Sequence, residues 1–131
     1  MTETDVSHLM TAPVMTVEPD EQLSEVAWAM LEEGIRSIAV IDESCQPVGI
    51  LTSTDFVQQA ADGQDPTEAT VGDYMTTPVV TVAPTTSVET AAARLLSEGF
   101  NHVPVVDDGV VGILSTVDVL RHVADPPTDS A

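Results

Sequence analysis

The stretch Gly49-Ile50-Leu51-Thr52-Ser53-Thr54-Asp55 decides the fold, because the chain contains it twice. It returns as Gly112-Ile113-Leu114-Ser115-Thr116-Val117-Asp118. Upstream, Met10-Thr11-Ala12-Pro13-Val14 returns 65 residues later as Met75-Thr76-Thr77-Pro78-Val79. A repeat of this kind indicates two units that bury their apolar faces against each other. Any site made by the repeated polar residues should therefore exist twice.

Apolar runs predict three strands in each unit. In the first unit they are residues 14–17, 37–41 and 48–51, and in the second 79–82, 102–106 and 110–114. Each run has the length of a strand, and Asp108-Gly109 is a strong signal for a tight turn between the last two. With one helix after the first strand and one after the third, each unit is β-α-β-β-α. The fold class is mixed α/β (α+β), with the two units packed as a pseudo-twofold pair.

Helical spacing of apolar residues predicts the first helix of each unit. The predicted buried faces are Leu23, Val26, Ala27, Met30 and Leu31, and their counterparts Val88, Ala91, Ala92, Leu95 and Leu96. Thr86 and Glu89 have capping-box spacing at the start of the second of these helices. Gly34 and Gly99 stand where a helix ends in a left-handed residue. The last helices should run from near Thr52 to about Ala61, and from near Ser115 to about Val123.

The same patterns divide the 131 residues into two domains. Residues 6–61 form unit 1 and residues 71–124 form unit 2. Residues 62–70, which include Asp62-Gly63-Gln64-Asp65-Pro66, are interpreted as a linker. Residues 125–131 are polar and broken by prolines, and we expect them to be a mobile tail.

Net charge is the most unusual feature of the composition. The chain carries 22 Asp and Glu, three Arg and no Lys, for a formal charge of −19. Such a surface opposes binding to a nucleic-acid backbone, which needs Lys and Arg against phosphates. Carboxylates that repel one another are screened in concentrated salt, so we expect a high-salt cytoplasm. The 43% hydrophobic content argues against a disordered acidic chain.

Other global signals point to the cytoplasm as well. No apolar run is long enough to span a bilayer, and the first residues do not have the pattern of a secretory signal. Cys45 is the only cysteine, so no intramolecular disulfide is expected. It lies in a polar stretch and is interpreted as an exposed bystander rather than a reactive thiol. Trp28 lies off the predicted core face, where it marks either a partner surface or a half-exposed single aromatic.

The repeated hydroxyl and aspartate have two physical interpretations. Thr52 with Asp55, and Ser115 with Asp118, stand at a strand-to-helix junction, where they would cap the helix. The same geometry also suits a ligand, because a helix N-terminus attracts phosphate and a hydroxyl adds a hydrogen bond. An aspartate there can accept two hydrogen bonds from the vicinal hydroxyls of a ribose. The residues alone leave both interpretations open.

In their ordered recurrence, the motifs resemble a tandem pair of cystathionine-β-synthase (CBS) domains, also called a Bateman module. The matching segments include Met10-Thr11-x-Pro13, Gly49-Ile50-Leu51-Thr52-x-x-Asp55 and His102-Val103-Pro104-Val105. The resemblance covers about residues 5 to 124. It implies a regulatory module that binds an adenosine-containing ligand, namely AMP, ADP, ATP or S-adenosylmethionine, in a cleft between the repeats.

The resemblance also assigns roles to particular residues. Asp55 and Asp118 would hold the ribose, and Thr52 and Ser115 would reach phosphate. Adenine would lie against backbone in the segments Val14 to Thr16 and Val79 to Thr81. Arg36 and Ser37 in unit 1, and His102 in unit 2, would approach the phosphate. The strongest nucleotide sensors of this family often carry Arg at the places of Ser37 and His102, so the sequence favours a monophosphate or cationic S-adenosylmethionine over a polyphosphate.

No nucleophile–base pair, glycine-rich phosphate loop or metal-ligand spacing appears, so neither an enzyme nor a metal site is predicted. The resemblance implies a homodimer formed through the helices, and a partner protein that reads the bound state. Two alternatives to a ligand-binding module stay open. The chain could be a structural interaction module without a ligand, or a regulatory subunit of a nucleotide-metabolism enzyme.

Overall fold

Unit 1 folds as a small sheet with two helices in the computed structural model, which describes residues 4–12, 14–77 and 79–124. Its strands are β1 (Thr16–Val17), β2 (Ser37–Ile41) and β3 (Pro47–Thr52). Strand β1 pairs in parallel with β2, and β2 pairs antiparallel with β3. Helix α1 (Leu23–Glu33) joins β1 to β2, and α2 (Ser53–Asp62) follows β3. After a 3-10 helix at Val6–His8, unit 1 thus has the predicted β-α-β-β-α order.

Unit 2 repeats this arrangement with a weaker first strand. A short helix α3 (Val71–Tyr74) precedes α4 (Val88–Glu98), β4 (His102–Val106), β5 (Val110–Ser115) and α5 (Thr116–Ala124). Strands β4 and β5 pair antiparallel. The predicted strand at 79–82 is reduced to one parallel bridge, Val82 to Val105. The structure confirms the mixed α+β class, whereas the first strands were predicted too long.

Prolines explain the short first strands. Pro13 and Pro19 flank the predicted strand of unit 1, and Pro78 and Pro84 stand at the corresponding positions of unit 2. Proline has no backbone N–H, so it cannot donate to a sheet and confines pairing to a short edge. Pro13, Pro78 and the predicted tail at 125–131 lie outside the described residues.

The helices bury a narrower face than predicted. Leu23, Val26 and Met30 are buried on α1, and Val88, Ala91 and Leu95 are buried on α4. Leu31 and Leu96, which were expected in the core, are exposed by 77% and 84%. Each continues the apolar stripe around the helix, onto the side that faces away from the sheet. Gly34 and Gly99 end the two helices in the left-handed conformation, as predicted.

The predicted capping box at α4 is wrong by one residue. Ser87 is the N-cap, and its hydroxyl accepts a hydrogen bond from Thr90 N at 3.2 Å. The Thr86 hydroxyl instead accepts a hydrogen bond from Ala83 N at 3.1 Å, in the turn that precedes the helix. Both residues can cap a backbone N–H, so composition alone did not distinguish them.

The two units exchange the segments that precede their first strands. Val6 packs in the core of unit 2, whereas Ala69 and Val71 pack in the core of unit 1. Matching backbone hydrogen bonds hold both segments: Val6 N donates to Thr86 O, and Val71 N donates to Glu21 O. Each hydrophobic core therefore contains residues from the other side of the linker. The domain boundaries at 61/62 and 70/71 stay a prediction.

Two glycines allow this exchange. The segment that crosses to unit 1 brings Met75 over β3, and a Cβ at Gly49 would stand 2.7 Å from the Met75 sulfur. In unit 2 the corresponding distance, from Gly112 to the Met10 sulfur, is 2.6 Å. Neither distance is a normal van der Waals separation, so a side chain at either place would force the methionine to shift. Met75 packs against the core of unit 1 and Met10 against the core of unit 2.

The sheets of the two units meet face to face. Strand β2 packs near β5, and β3 packs near β4, which is the pairing expected of a pseudo-twofold relation. The N-terminal ends of β2 and β4 and the C-terminal ends of β3 and β5 carry the predicted polar site residues. The fold therefore places Ser37 with Thr52, and His102 with Ser115, at the ends of the two sheets.

Candidate functional site

The Asp55 carboxylate stands at the start of α2 and caps it. Thr52 N donates a hydrogen bond to Asp55 Oδ2 at 2.8 Å, and the Thr52 hydroxyl lies 3.3 Å from the same oxygen. Ser37 is the register partner of Thr52 across β2 and β3. The structure therefore brings Ser37, Thr52 and Asp55 to one sheet end, as predicted, and confirms that the carboxylate acts as a cap.

Thr76 completes this group from the other side of the linker. Its hydroxyl lies 3.2 Å from Asp55 Oδ1, the carboxylate oxygen that Thr52 does not use. Backbone hydrogen bonds with Ile50 hold Thr76 in place. Sequence reasoning missed Thr76, although it belongs to the repeated Met-Thr pair that was used to detect the repeat. The missing information was the exchange of segments, which places Thr76 beside the other unit.

The corresponding group in unit 2 contains His102, Ser115 and Asp118. Ser115 N donates to Asp118 Oδ2 at 2.9 Å, and Asp118 N donates to the Ser115 hydroxyl at 3.1 Å, which forms a complete capping box. His102 is the register partner of Ser115 across β4 and β5. The three predicted residues are again brought together, with an imidazole in the place where unit 1 has the Ser37 hydroxyl.

Arg36 of unit 1 acts electrostatically on this second group. Burial lowers the pKa of the His102 imidazole below its ordinary value, while the Asp118 carboxylate opposes that shift and the Arg36 guanidinium adds to it. Arg36 directly precedes β2 and is exposed. The charges of Arg36 and Asp118 are therefore each close enough to His102 to act on it, although Arg36 belongs to the other unit.

The two groups differ in the state of the aspartate. Asp55 accepts hydrogen bonds on both carboxylate oxygens, from Thr52 and Thr76. Among the hydrogen bonds that join described residues, Asp118 accepts on Oδ2 alone. Thr11, the sequence counterpart of Thr76, is exposed and pairs with Ile113 through its backbone. Within the described residues, Asp118 Oδ1 thus has no hydrogen-bond partner, and the Asp118 carboxylate acts electrostatically on His102.

The segments predicted to contact adenine, residues 14–16 and 79–81, are not joined to the aspartates within the described residues. Val14, Thr16, Val79 and Thr81 are all half-buried. Within the described part of the chain, no hydrogen bond joins them to either aspartate. Cys45 is exposed, as expected, and takes a left-handed φ of 65° in the turn before β3. Trp28 is exposed by 64% on α1.

Neither Asp55 nor Asp118 lines the two surface grooves described next. One is acidic and lies between the ends of β1 and β2; it is lined by Glu18, Pro19, Asp20, Ile41, Asp42, Glu43 and Ser44. The other is apolar, has a volume of about 430 Å³ and lies between α4 and α5. In residues 4–12, 14–77 and 79–124, no three His, Cys, Asp or Glu side chains are grouped to hold a metal ion. None of the helices there is long and apolar enough to cross a membrane.

Comparison with known proteins agrees with this geometry. A profile described as the CBS domain matches residues 6–62 and 71–125. An uncharacterized protein of Methanopyrus kandleri, MK0525, is 32% identical over 124 residues, which are 92% of this chain and 63% of that protein. The chain therefore spans less than two thirds of that relative's length.

Solved structures show the same fold. The CBS domain pair of protein MJ0100, solved in complex with 5-methylthioadenosine and S-adenosyl-L-methionine, superposes with a TM-score of 0.87 at 27% identity. The match covers 96% of this chain and all of the other. A hexameric CBS-CP12 protein from bloom-forming cyanobacteria gives 0.83 at 29% identity, covering 94% of this chain and 75% of that one. The matched repeats and the shared architecture lead to one conclusion: the chain belongs to the CBS domain family and is a CBS domain pair.

Proposed function

We propose that this chain is a non-catalytic regulatory module that binds an adenosine-containing ligand in the cleft at Asp118. The ligand would bind where the two repeats meet and favour one relative arrangement of them. A partner protein, or a second copy of the chain, would respond to that arrangement. The response can be no larger than the difference in the ligand's affinity for the two states.

The open carboxylate of Asp118 is the observation that carries this proposal. Its Oδ2 caps α5, and no hydrogen bond from a described residue reaches Oδ1, which would accept a hydrogen bond from a ribose hydroxyl. The Asp55 carboxylate is satisfied on both sides by Thr52 and Thr76, and a ligand there would have to displace the Thr76 hydroxyl. The two clefts therefore differ in the bond that ligand binding would break, which favours occupation at Asp118 first.

Charge selects among the candidate ligands. Arg36 and a protonated His102 would both attract a phosphate beside Asp118. One guanidinium and one titratable imidazole suit a monophosphate such as AMP better than ADP or ATP, given a net charge of −19. S-adenosylmethionine carries a positive charge that the acidic surface would attract. The complex of MJ0100 with that ligand and 5-methylthioadenosine supports its inclusion among the candidates.

A homodimer is the assembly that we propose for the module. Apolar side chains on α1, α2, α4 and α5 point to solvent, and clustered exposed apolar residues mark interaction sites more often than chance. The hexameric CBS-CP12 protein supports assembly through this fold. An unidentified protein that is regulated by the dimer would complete the mechanism, in a cytoplasm of high salt concentration.

A structural role without a ligand is the second candidate. Both aspartates do cap their helices, and a cap alone would explain why the motif occurs in both units. This candidate predicts no ligand-dependent change in stability at any salt concentration. A regulatory subunit of one nucleotide-metabolism enzyme is a third possibility. A pull-down at high salt would have to recover that enzyme in stoichiometric amounts.

A thermal-shift screen tests the proposal. AMP, ADP, ATP, S-adenosylmethionine and NAD would each be added in about 1 M KCl, where charge repulsion is screened. A ligand at a hundred times its Kd should add about 2.7 kcal/mol of stability and raise Tm by on the order of 10 °C. Asp118→Ala should remove that shift, and Asp55→Ala should keep most of it. The absence of a shift with every ligand would favour the structural module.

A further inference from the structure

The Thr76 side chain spans both oxygens of the Asp55 carboxylate. Its hydroxyl donates a hydrogen bond to Oδ1 at 3.2 Å and lies 3.5 Å from Oδ2. On the other side, Thr52 N and the Thr52 hydroxyl lie 2.8 and 3.3 Å from Oδ2. A ribose hydroxyl that binds this carboxylate needs Oδ1 as its acceptor, so Thr76 competes with such a ligand for the same oxygen.

The backbone of Thr76 is held in place on β3. Thr76 N donates to Ile50 O at 2.8 Å, and Ile50 N donates to Thr76 O at 3.2 Å. The preceding Met75 N donates to Val71 O at 2.8 Å, and the Met75 side chain packs on the core of unit 1. The hydroxyl can therefore leave Asp55 by a rotamer change about the Cα–Cβ bond, without movement of the backbone.

Unit 2 contains the matched segment with a different side-chain arrangement. Thr11 makes the same backbone hydrogen bonds with Ile113, at 2.8 and 3.2 Å. Among the hydrogen bonds between described residues, none joins the Thr11 hydroxyl to Asp118, and Thr11 is exposed whereas Thr76 is half-buried. The backbone geometry is thus shared, and the difference between the two clefts lies in one threonine side chain.

We infer that the Thr76 hydroxyl is a built-in occupant of the Asp55 cleft, which keeps that cleft closed to ribose-containing ligands until the side chain turns away. Thr76 then determines how many ligands the chain binds, because no hydrogen bond between described residues gives Asp118 a similar occupant. This inference rests on the proposed role of the aspartate as a ribose acceptor, and it adds the residue that sets the number of sites.

Thr76→Ala removes the occupant and tests the inference directly. Adenosine is the probe, because it offers both ribose hydroxyls without a phosphate whose charge would complicate the comparison. Isothermal titration in about 1 M KCl should show one more adenosine site per chain in Thr76→Ala than in the parent chain. A hydrogen bond to a charged group corresponds to about 10- to 100-fold in affinity, which is the gain expected at Asp55.

Matched variants assign the additional site. Thr76→Ser retains the hydroxyl and should bind no additional adenosine, and Thr11→Ala, the same change in unit 2, should leave the number of sites unchanged. In the Thr76→Ala background, Asp55→Ala should abolish the additional site. A thermal melt verifies that each variant folds. Should Thr76→Ala fail to fold, Thr76→Val, which keeps the side-chain volume without the hydroxyl, would be titrated in the same way.

The possible outcomes separate this inference from the proposed sensor. AMP binding by the parent chain at Asp118, with no additional adenosine site in folded Thr76→Ala, would overturn the inference and leave the proposed function intact. An adenosine site gained at Asp55 in a chain that binds no AMP at Asp118 would support the inference and contradict the proposed site. An additional site in Thr76→Ser as well would show that the hydroxyl does not close the cleft, and would overturn the inference.

Discussion

At the scale of single residues, Asp55 and Asp118 each cap a helix, and we propose that Asp118 also binds a ligand. Each carboxylate accepts a backbone hydrogen bond that caps a helix, and among the described residues none donates to the other oxygen of Asp118, whose charge acts on His102. A cap and a ligand contact are therefore not alternatives at this position. The sequence left the two interpretations open because both need an aspartate three residues after a hydroxyl. Only the three-dimensional structure shows which carboxylate oxygen accepts each hydrogen bond.

Removing the cap at Asp118 should measurably lower the stability of the fold. Asp118→Ala should lower the free energy of unfolding by about 1 kcal/mol, because the Ser115 N–H loses its partner. Urea unfolding without ligand would measure the change, with exposed Glu68→Ala as the control for removing one negative charge. Asp118→Asn should retain much of the stability, since its amide oxygen can still accept the bond. A loss as large in Asn as in Ala would contradict this assignment.

If His102 contacts a bound phosphate as proposed, we expect that binding to depend on pH. Burial lowers the pKa of the free imidazole, so the charged form gains population only as pH falls below the ordinary value. His102→Ala should therefore weaken AMP more at about pH 6 than at about pH 8, where imidazole is neutral. A neutral ligand such as 5-methylthioadenosine is the control. Equal losses of AMP affinity at both pH values would remove His102 from a phosphate role.

The same pKa direction predicts a change in stability. Because the folded state disfavours protonation of His102, the unfolded chain binds more protons near pH 6. The contribution of His102 should be fully present above the ordinary histidine pKa, about 6.5, and should decline as pH falls through the lowered value. Comparing unfolding of the wild-type chain and His102→Ala across that range would reveal a smaller acid dependence in the variant.

At the scale of elements, the segment exchange determines what lies beside each site. Met75 crosses over Gly49, and Thr76 then reaches Asp55, whereas Met10 crosses over Gly112 and leaves Asp118 open. The strand order and the positions of β2 and β4 followed from apolar patterns. The exchange did not, because such patterns report which residues are buried and not which unit buries them.

Glycine substitutions test the crossing. A Cβ at position 112 would meet the Met10 sulfur and the Thr11 carbonyl oxygen, at 2.6 and 3.1 Å. Gly112→Ala should therefore destabilise the fold by about 1–3 kcal/mol, as overpacking does. Combining it with Met10→Ala should recover part of that loss if the methionine is the obstacle. Stability unchanged in Gly112→Ala would show that the segment does not cross there.

At the scale of the whole molecule, surface charge sets the conditions for folding and binding. No charged side chain is fully buried in the part of the chain that the structure describes, so the carboxylates repel one another through solvent. Screening by salt weakens that repulsion, because the Debye length falls to about 3 Å at 1 M. We expect Tm to rise from about 0.1 M to about 2 M KCl, well beyond the change in a neutral protein. A flat dependence would contradict the high-salt interpretation.

The sequence predicted the paired architecture correctly, but it predicted less well which apolar helix residues are exposed. The repeat, the helix ends at Gly34 and Gly99 and the members of both polar groups except Thr76 followed from sequence. Leu31 and Leu96 were assigned to the core because periodicity cannot distinguish a face packed on a sheet from one reserved for a partner. Their exposure is the structural reason to propose a dimer.

Isothermal titration of AMP and of S-adenosylmethionine in about 1 M KCl tests the central claim most directly, because it counts sites as well as detecting them. The chain, Asp55→Ala and Asp118→Ala would be titrated side by side. We predict that at least one of the two ligands binds at one site per chain, that Asp55→Ala keeps this site and that Asp118→Ala loses it. Binding that survives in Asp118→Ala and disappears in Asp55→Ala would contradict the proposal that the cleft with the open carboxylate is the ligand site.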